Sequence, residues 1–420
     1  MAEVFGGNEV PRTVNFRPMK FLLSVLIASA FCIAHAQSNQ TFNVLLTAPL
    51  DYQVFQRQTE GGGDIMVEGM LEVAGHAALT NLERLEARLT SETISNDWQV
   101  LAFDNRVRQF RGEMTAPAGG WYHVELRLVG NGETFWETNV EHVGVGEIFL
   151  ISGQSNSANH GEGKQQANNP LVVAFGNGIW QPARDPEPGA SGKGGSFMPA
   201  FGDAMADRFK VPIGLVALGE GSTSVREWLP KNDAVAAPSD TGRNVITTGL
   251  GRWVCNGDLF ERITHAEEQL GVNGFRAMFW HQGESDSHES ADRAITPAQY
   301  RQYLQRVIEA SRAAAGWRVP WFVAQASYHN PADQGSPELR AAQKSLVTDG
   351  IALAGPNTDT LGPEFRQNNG KGIHLNPRGL QRHGQMWMEC VAPWLEQQLL
   401  QPTEGLPQGL PKRKVLLDAP

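Results

Sequence analysis

Between Thr41 and about His142 the chain alternates apolar and polar residues in short runs. Phe42–Leu46, Ile65–Val73, Trp98–Phe103, Trp121–Leu128 and Thr134–Val143 carry the two-residue period of strands with one solvated face. Turn formers separate them: Glu60-Gly61-Gly62-Gly63-Asp64, Pro117-Ala118-Gly119-Gly120 and Gly130-Asn131-Gly132. Such punctuation predicts an antiparallel β-sandwich over residues 37–145. The stretch Leu82–Leu89 fits strand or helix. From Gly146 the rhythm changes. Apolar runs at Glu147–Ser152, Val211–Leu218, Phe275–Trp280, Trp321–Gln325 and Ile351–Ala354 alternate with helical stretches. Thr296-Pro297 opens a helix to about Ala315, Ser336-Pro337-Glu338 opens another, and Asn376-Pro377 opens the last, to about Leu399. Strand–helix alternation predicts an α/β domain over 146–400, a parallel sheet with helices on both faces. Residues 401–420 read as a loose tail.

The N-terminal part adds a destination. Met19-Lys20, the apolar run Phe21 to Ile33 and Ala34-His35-Ala36 have the layout of an export signal, with cleavage before Gln37. Residues 1–36 are therefore read as an upstream extension and signal peptide, and the mature protein as periplasmic or secreted, without a stable membrane anchor. A net charge of −10 argues against a nucleic-acid partner. Cleavage would leave Cys255 and Cys390, which fit either one disulfide or two separate thiols. Cys and His show no zinc-type spacing, so no metal is expected.

Four polar segments follow strands or precede the last helix: Gly153-Gln154-Ser155-Asn156, Gly219-Glu220-Gly221-Ser222-Thr223-Ser224, His281-Gln282-Gly283-Glu284-Ser285-Asp286 and Gly372-Ile373-His374-Leu375-Asn376-Pro377. In a parallel sheet such segments meet at one edge. Acyl transfer needs a nucleophile, a base and donors for the developing oxyanion. Ser155 supplies the hydroxyl, and His374 an imidazole that titrates near neutrality. Backbone N–H groups of Ser155 and Gly221, with the Gln282 amide, are the candidate oxyanion donors. Each has a plainer reading: a turn serine, a helix-capping histidine, a buried bracing amide.

Taken in order, the four segments resemble the blocks of the SGNH-hydrolase superfamily, and within it the sialate O-acetylesterase-like and acetylxylan-esterase-like carbohydrate esterases. The resemblance covers about Gly146 to Leu399. It implies a flavodoxin-like three-layer fold, acetyl-ester hydrolysis on a carbohydrate, Ser155 as nucleophile, His374 as base and no cofactor. One position departs from the pattern. The superfamily carries an Asp three residues before the histidine; here that residue is Lys371, which cannot accept the imidazole N–H. Glu284, Asp286, Asp359 and Glu364 are candidate acids, with Glu284 favoured, and a Ser–His dyad stays open. Gln154, Asn156, Arg226 and Trp228 are candidate substrate contacts, Arg226 for a carboxylate. The expected substrate is an acetylated xylan-type polysaccharide, with O-acetyl sialic acid next. The alternatives are a carbohydrate-binding protein with impaired catalysis and a short-chain lipase or thioesterase of the same superfamily. The sequence leaves the oligomeric state undetermined.

Overall fold

The computed structural model describes residues 42–73, 82–236, 243–271, 274–288, 294–333 and 335–400. The expected export signal and C-terminal tail lie outside the described residues. The first part is built from β1 (Phe42–Ala48), β2 (Val54–Gln56), β3 (Gly62–Val73), β4 (Arg84–Thr90), β5 (Gln99–Val100), β6 (Ala102–Asp104), β7 (Gln109–Pro117), β8 (Gly119–Gly130) and β9 (Glu133–Gly153). The ambiguous stretch near Leu82 is thus a strand. One antiparallel sheet runs β1-β3-β7-β6, while β4 pairs with β8 and β8 with β9. Ile65, Val67, Leu85, Ala87, Met114, Val124, Leu126 and Val143 share one core. They come from alternate positions of their strands, as a two-residue period requires.

β9 differs from expectation. The runs Thr134–Val143 and Glu147–Ser152 are two stretches of one 21-residue strand. From Phe135 to His142 its residues alternate between exposed and half-buried, and from Val143 onward all are buried. The first half is an antiparallel strand with a wet face, and the second has both faces covered, as parallel strands do. This strand joins the N-terminal array to the second part in one mixed sheet of 11 strands.

The second part continues with β10 (Val172–Gly176), β11 (Ile179–Pro182), α1 (Met198–Phe209), β12 (Ile213–Ala217), β13 (Val245–Thr247), β14 (Trp253–Cys255), α2 (Asp258–Leu270), β15 (Ala277–His281), α3 (Glu284–Ser287), α4 (Pro297–Ala315), β16 (Trp321–Gln325), α5 (Pro337–Thr348), β17 (Leu353–Asn357), α6 (Gln367–Gly370) and α7 (Pro377–Leu400). The central order is β11-β10-β12-β9-β15-β16-β17, parallel except for β11. Alternate residues of β15 point to opposite faces. Met278 and Trp280 join a core with Leu259, Tyr300, Leu304 and Leu339 from α2, α4 and α5. Ala277 and Phe279 join Phe201 and Trp387 from α1 and α7. Each fully buried aromatic ring contributes on the order of 1.5–3 kcal/mol. Thr296 and Ser336 cap α4 and α5 as their sequences predict. Cys255 and Cys390 are both free thiols.

Chain order reverses at β9: the chain runs outward to β10, returns through β12 beside β9, then proceeds to β15 on the other side. A reversal of this kind opens a crevice at the carboxyl ends of the strands. Three of the four polar segments leave β9, β12 and β15 at that end.

Candidate active site

The first segment begins with a glycine that nothing else can replace. Gly153 has φ +125°, and a Cβ there would lie 2.1 Å from the His281 carbonyl oxygen. The close approach lets Gln154 N–H bond that oxygen at 2.9 Å, locking the turn to the end of β15. Ser155, Asn156 and Ser157 then form one turn of 3₁₀ helix, with no side chain capping its start. Ser155 N–H stands in the first turn, where N–H groups have no intrahelical acceptor. Its side chain is buried at the rim of the sheet.

The fourth segment is drawn to this turn from the far end of the chain. Arg366 is buried and spans its loop: Nε donates to Leu361 O (2.8 Å), Nη1 to Ile373 O (2.7 Å) and Nη2 to Thr358 O (3.2 Å). Its guanidinium lies over the Tyr328 ring at 4.0 Å. Asn156 Nδ2 donates to the same Ile373 oxygen at 3.4 Å and to Glu284 Oε1 at 2.8 Å. One amide therefore joins the residue after Ser155 to the residue before His374. The His374 and His160 rings lie 5.4 Å apart. His160 Nε2 meets Ser191 Oγ at 3.1 Å, and Ser191 Oγ accepts Gly221 N–H at 2.7 Å. A Cβ at Gly221 would stand 2.7 Å from His160 Nε2, so glycine is needed for this approach. Ser155, Gly221 and His374 are thus tied into one constellation.

Burial, then the nearby His160 and Arg366, lowers the pKa of His374 to about 4. Neutral imidazole is its ground state over nearly the whole pH range of life. Its Nδ1 lies 3.1 Å from Gln367 Nε2. Among the described residues, this amide is the hydrogen-bond partner of the ring. None of the four candidate carboxylates takes that place. Asp286 accepts from Ser224 Oγ, Val225 N–H and Gln282 Nε2, and burial raises its pKa. Asp359 accepts from Ser327 and Tyr328 N–H groups and pairs with Arg340. Glu284 holds Asn156 and faces His281 Nδ1 at 3.7 Å. Glu364 contributes its backbone oxygen to Asn376. The expectation that Glu284 orients the histidine directly is corrected: its carboxylate is bonded to Asn156, the residue after Ser155.

Other expected roles change for the same reason, that the side chain is already engaged. Gln282 Nε2 lies within bonding distance of Gln154 Oε1 (3.2 Å), Thr223 O (3.0 Å) and Asp286 Oδ2 (2.6 Å). Two hydrogens facing three buried acceptors leave none to offer an oxyanion, and Gln282 is a brace. Gln154 Oε1 accepts from Gly283 and Ser285 N–H groups as well, so this oxygen faces inward. Arg226 is buried, donating to Ser224 Oγ and Ala236 O, and does not present itself to a substrate carboxylate. Trp228 is a core residue, edge-on to Trp280 and bonded to Thr223 Oγ1.

Sequence reading missed Ser191, Arg366 and Gln367. Ser191 sits in an irregular loop without periodicity, held by Asn159, whose side chain pairs with Glu187 N–H and O. Gln367 lies seven residues before the histidine, where sequence spacing alone gives no cue. Its backbone could have drawn notice: Asn368 and Asn369 both take left-handed conformations (φ 55°) that asparagine tolerates. They turn the chain so that Gln367 N–H bonds His374 O at 3.0 Å.

Residues 145–392 match the family of carbohydrate esterases described as sialic acid-specific acetylesterases. No curated protein matches the chain. Among solved structures, a carbohydrate acetylesterase from Xanthomonas citri is 17% identical, with TM-score 0.49 over 82% of this chain and 74% of its own. A protein from Arabidopsis thaliana is 19% identical, with TM-score 0.41 over 59% and 98%. A family 2 carbohydrate esterase with a carbohydrate-binding domain, from Corynascus thermopiles (Myceliophthora fergusii), is 11% identical, with TM-score 0.34 over 84% and 100%.

Proposed function

The chain belongs to the carbohydrate esterase family of sialic acid-specific acetylesterases, and from that premise we propose that it removes acetyl groups from a glycan by serine catalysis at Ser155. His374 Nε2 takes the Ser155 proton as the hydroxyl attacks the ester carbonyl. The tetrahedral oxyanion is received by Ser155 N–H and by Gly221 N–H, which releases the Ser191 hydroxyl as substrate enters. Protonated His374 then gives its proton to the departing sugar oxygen, and water frees acetate from Ser155. The histidine is held by Gln367 in place of the absent aspartate. The side-chain oxygen and nitrogen exchange places by a half-turn of the amide. With the oxygen against Nδ1–H, the Nε2 lone pair is free for Ser155. Lys371 in the usual acid position is then no obstacle to turnover. The observation that carries this reading is the Asn156 bridge, which joins nucleophile turn and histidine loop through the Ile373 oxygen.

The three-layer arrangement supports an SGNH-type catalytic domain over about 146–400. The antiparallel arrays with their own core support a β-sandwich over about 42–145. An exported protein with its substrate outside the cytoplasm fits the leader-like N-terminus; among the described residues, no helix is long and apolar enough to cross a membrane. We favour an uncharged acetylated polysaccharide of the xylan type, because the buried Arg226 does not offer itself to a sugar carboxylate. A polar hollow lined by Glu162, Glu364, Arg366, Asn368 and Asn369 beside the histidine loop suits sugar hydroxyls. O-acetyl sialic acid keeps one argument: Arg243, largely exposed, donates to Gly221 O at 3.0 Å and places a cation by the oxyanion donor.

The test is acetate release from acetylated xylans, pectins and sialosides, with Ser155→Ala as control. The native protein should hydrolyse at least one class, and Ser155→Ala should lose on the order of 10⁵-fold or more in kcat. A native protein that binds these glycans without releasing acetate would refute catalysis, and preference for long-chain acyl esters would refute the acetyl assignment.

A further inference from the structure

His288, the residue after α3, takes no part in the esterase chemistry, yet its surroundings are built. Its Nε2 lies 2.8 Å from Ser327 O. A carbonyl only accepts, so Nε2 carries a hydrogen, and Nδ1 is the atom left for another partner. That atom faces Asp333 Oδ2 at 2.6 Å. His329 Nδ1 lies 3.9 Å from the same oxygen and 3.4 Å from the Asn330 amide nitrogen, a donor that leaves Nδ1 as acceptor. The ligand atoms of His288, His329 and Asp333 all lie within 4.8 Å of one another, and the two imidazoles overlap at 4.2 Å. Two imidazole nitrogens and a carboxylate oxygen thus converge on one point, where a metal ion can take the place of the proton between His288 and Asp333.

The frame is held from behind. Asp359 accepts from Ser327 N–H and Oγ and is paired with Arg340. His329 and Asn330 N–H groups both bond Asp333 O, fixing histidine and aspartate on one turn. A backbone carbonyl on the distal nitrogen of a ligating histidine is the usual outer support of a metal site. We propose that His288, His329 and Asp333 bind a divalent transition-metal cation of the zinc class. Tetrahedral zinc, with bonds of about 2.0–2.2 Å, spaces its ligand atoms about 3.4 Å apart. The 2.6 Å pair would open and the 3.9 Å pair close, each by under an ångström. Two imidazoles with one carboxylate select zinc, nickel or copper over magnesium or calcium, which prefer all-oxygen shells. His329 and Asp333 are exposed, which gives the ion access and leaves water to complete its shell. Ser287 Oγ and His288 both reach Ser327 O, so the ion would clamp α3 to the turn after β16. Its role is structural, and it does not depend on the esterase mechanism.

The experiment is calorimetric titration of zinc chloride into tag-free, chelator-treated full-length protein, beside His329→Ala and Asp333→Asn. Native protein should bind one equivalent, and each substitution should weaken binding on the order of 10–100-fold. Zinc should raise the Tm of the native protein and not of the variants. Hydrolysis of p-nitrophenyl acetate by metal-free His329→Ala should equal that of metal-free native protein, which confirms that the variant is folded. Native protein that binds zinc no more tightly than both variants overturns the proposal, as does zinc binding with no rise in Tm.

Discussion

Replacing Gln367 by Glu tests how the histidine is held. The substitution puts a carboxylate where a neutral amide now lies 3.1 Å from His374 Nδ1. At that separation two unit charges attract by about 1.3 kcal/mol in water and about 5 kcal/mol at an effective dielectric of 20. Dividing by 1.36 kcal/mol per pKa unit brackets the rise at about 1–4 units, and close opposite charges commonly give about 1–3. His374 starts at about 4. Only its neutral form can accept the Ser155 proton, so the acid limb of kcat/KM falls at that pKa. In Gln367→Glu the limb should climb by about 1–3 units. The assay is the pH dependence of acetate release from pH 3 to 9, with circular dichroism to confirm folding. Gln367→Met, of similar size but without an amide, should lower kcat by on the order of 10²–10⁴ with KM nearly unchanged, as misdirecting the imidazole tautomer does elsewhere. An unmoved limb in a folded Gln367→Glu protein would refute the assignment.

Further expectations concern two carboxylates and one cation. Glu284→Gln keeps an oxygen for Asn156 but loses its charge, about 1 kcal/mol of bond strength; kcat should fall less than about tenfold, and a limb shifted by a unit or more would restore Glu284 as the acid. Glu147 is fully buried between Arg57 and Arg276, each at 2.6 Å. Burial opposes its charge, but the two arginines outweigh that, so its pKa is lowered. Its contribution to stability is complete above the unfolded carboxylate range and is lost as pH falls through the folded value. Glu147→Gln should cost about 3–5 kcal/mol at pH 7 by denaturant titration and less at pH 3; an equal cost at both would refute the ion-pair account. Arg243→Ala should raise KM for O-acetyl sialosides and leave acetylated xylan unaffected, whereas an equal effect on both would remove Arg243 as a carboxylate reader.

Much of the architecture was legible because parallel strands and capped helices leave local marks. The fully apolar runs around Phe149 and Phe279 and the Thr296-Pro297 and Ser336-Pro337 starts required no long-range knowledge. Ser155 and His374 stood out in the sequence as an ordered pair of motifs, and Asn156 ties the loops that carry them. The partners of buried side chains were not. Gln282, Arg226 and Trp228 carry chemically suggestive groups, yet each is engaged by neighbours distant in sequence or folded into a core. Gln367 was missed because its approach depends on two left-handed asparagines, Asn368 and Asn369. The unity of β9 was hidden because its period changes midway: an alternating half and a continuously apolar half look like two elements.

That long strand limits how the molecule could be taken apart. Any cut near residue 145 severs a single rod whose two ends serve different neighbours, and it strips Arg57 and Gln56 from the carboxylate of Glu147. The leading third of the chain is therefore not a detachable cassette. A shortened hydrolase starting at the four motifs would begin with a frayed central rib, directly beneath the turn that carries Ser155.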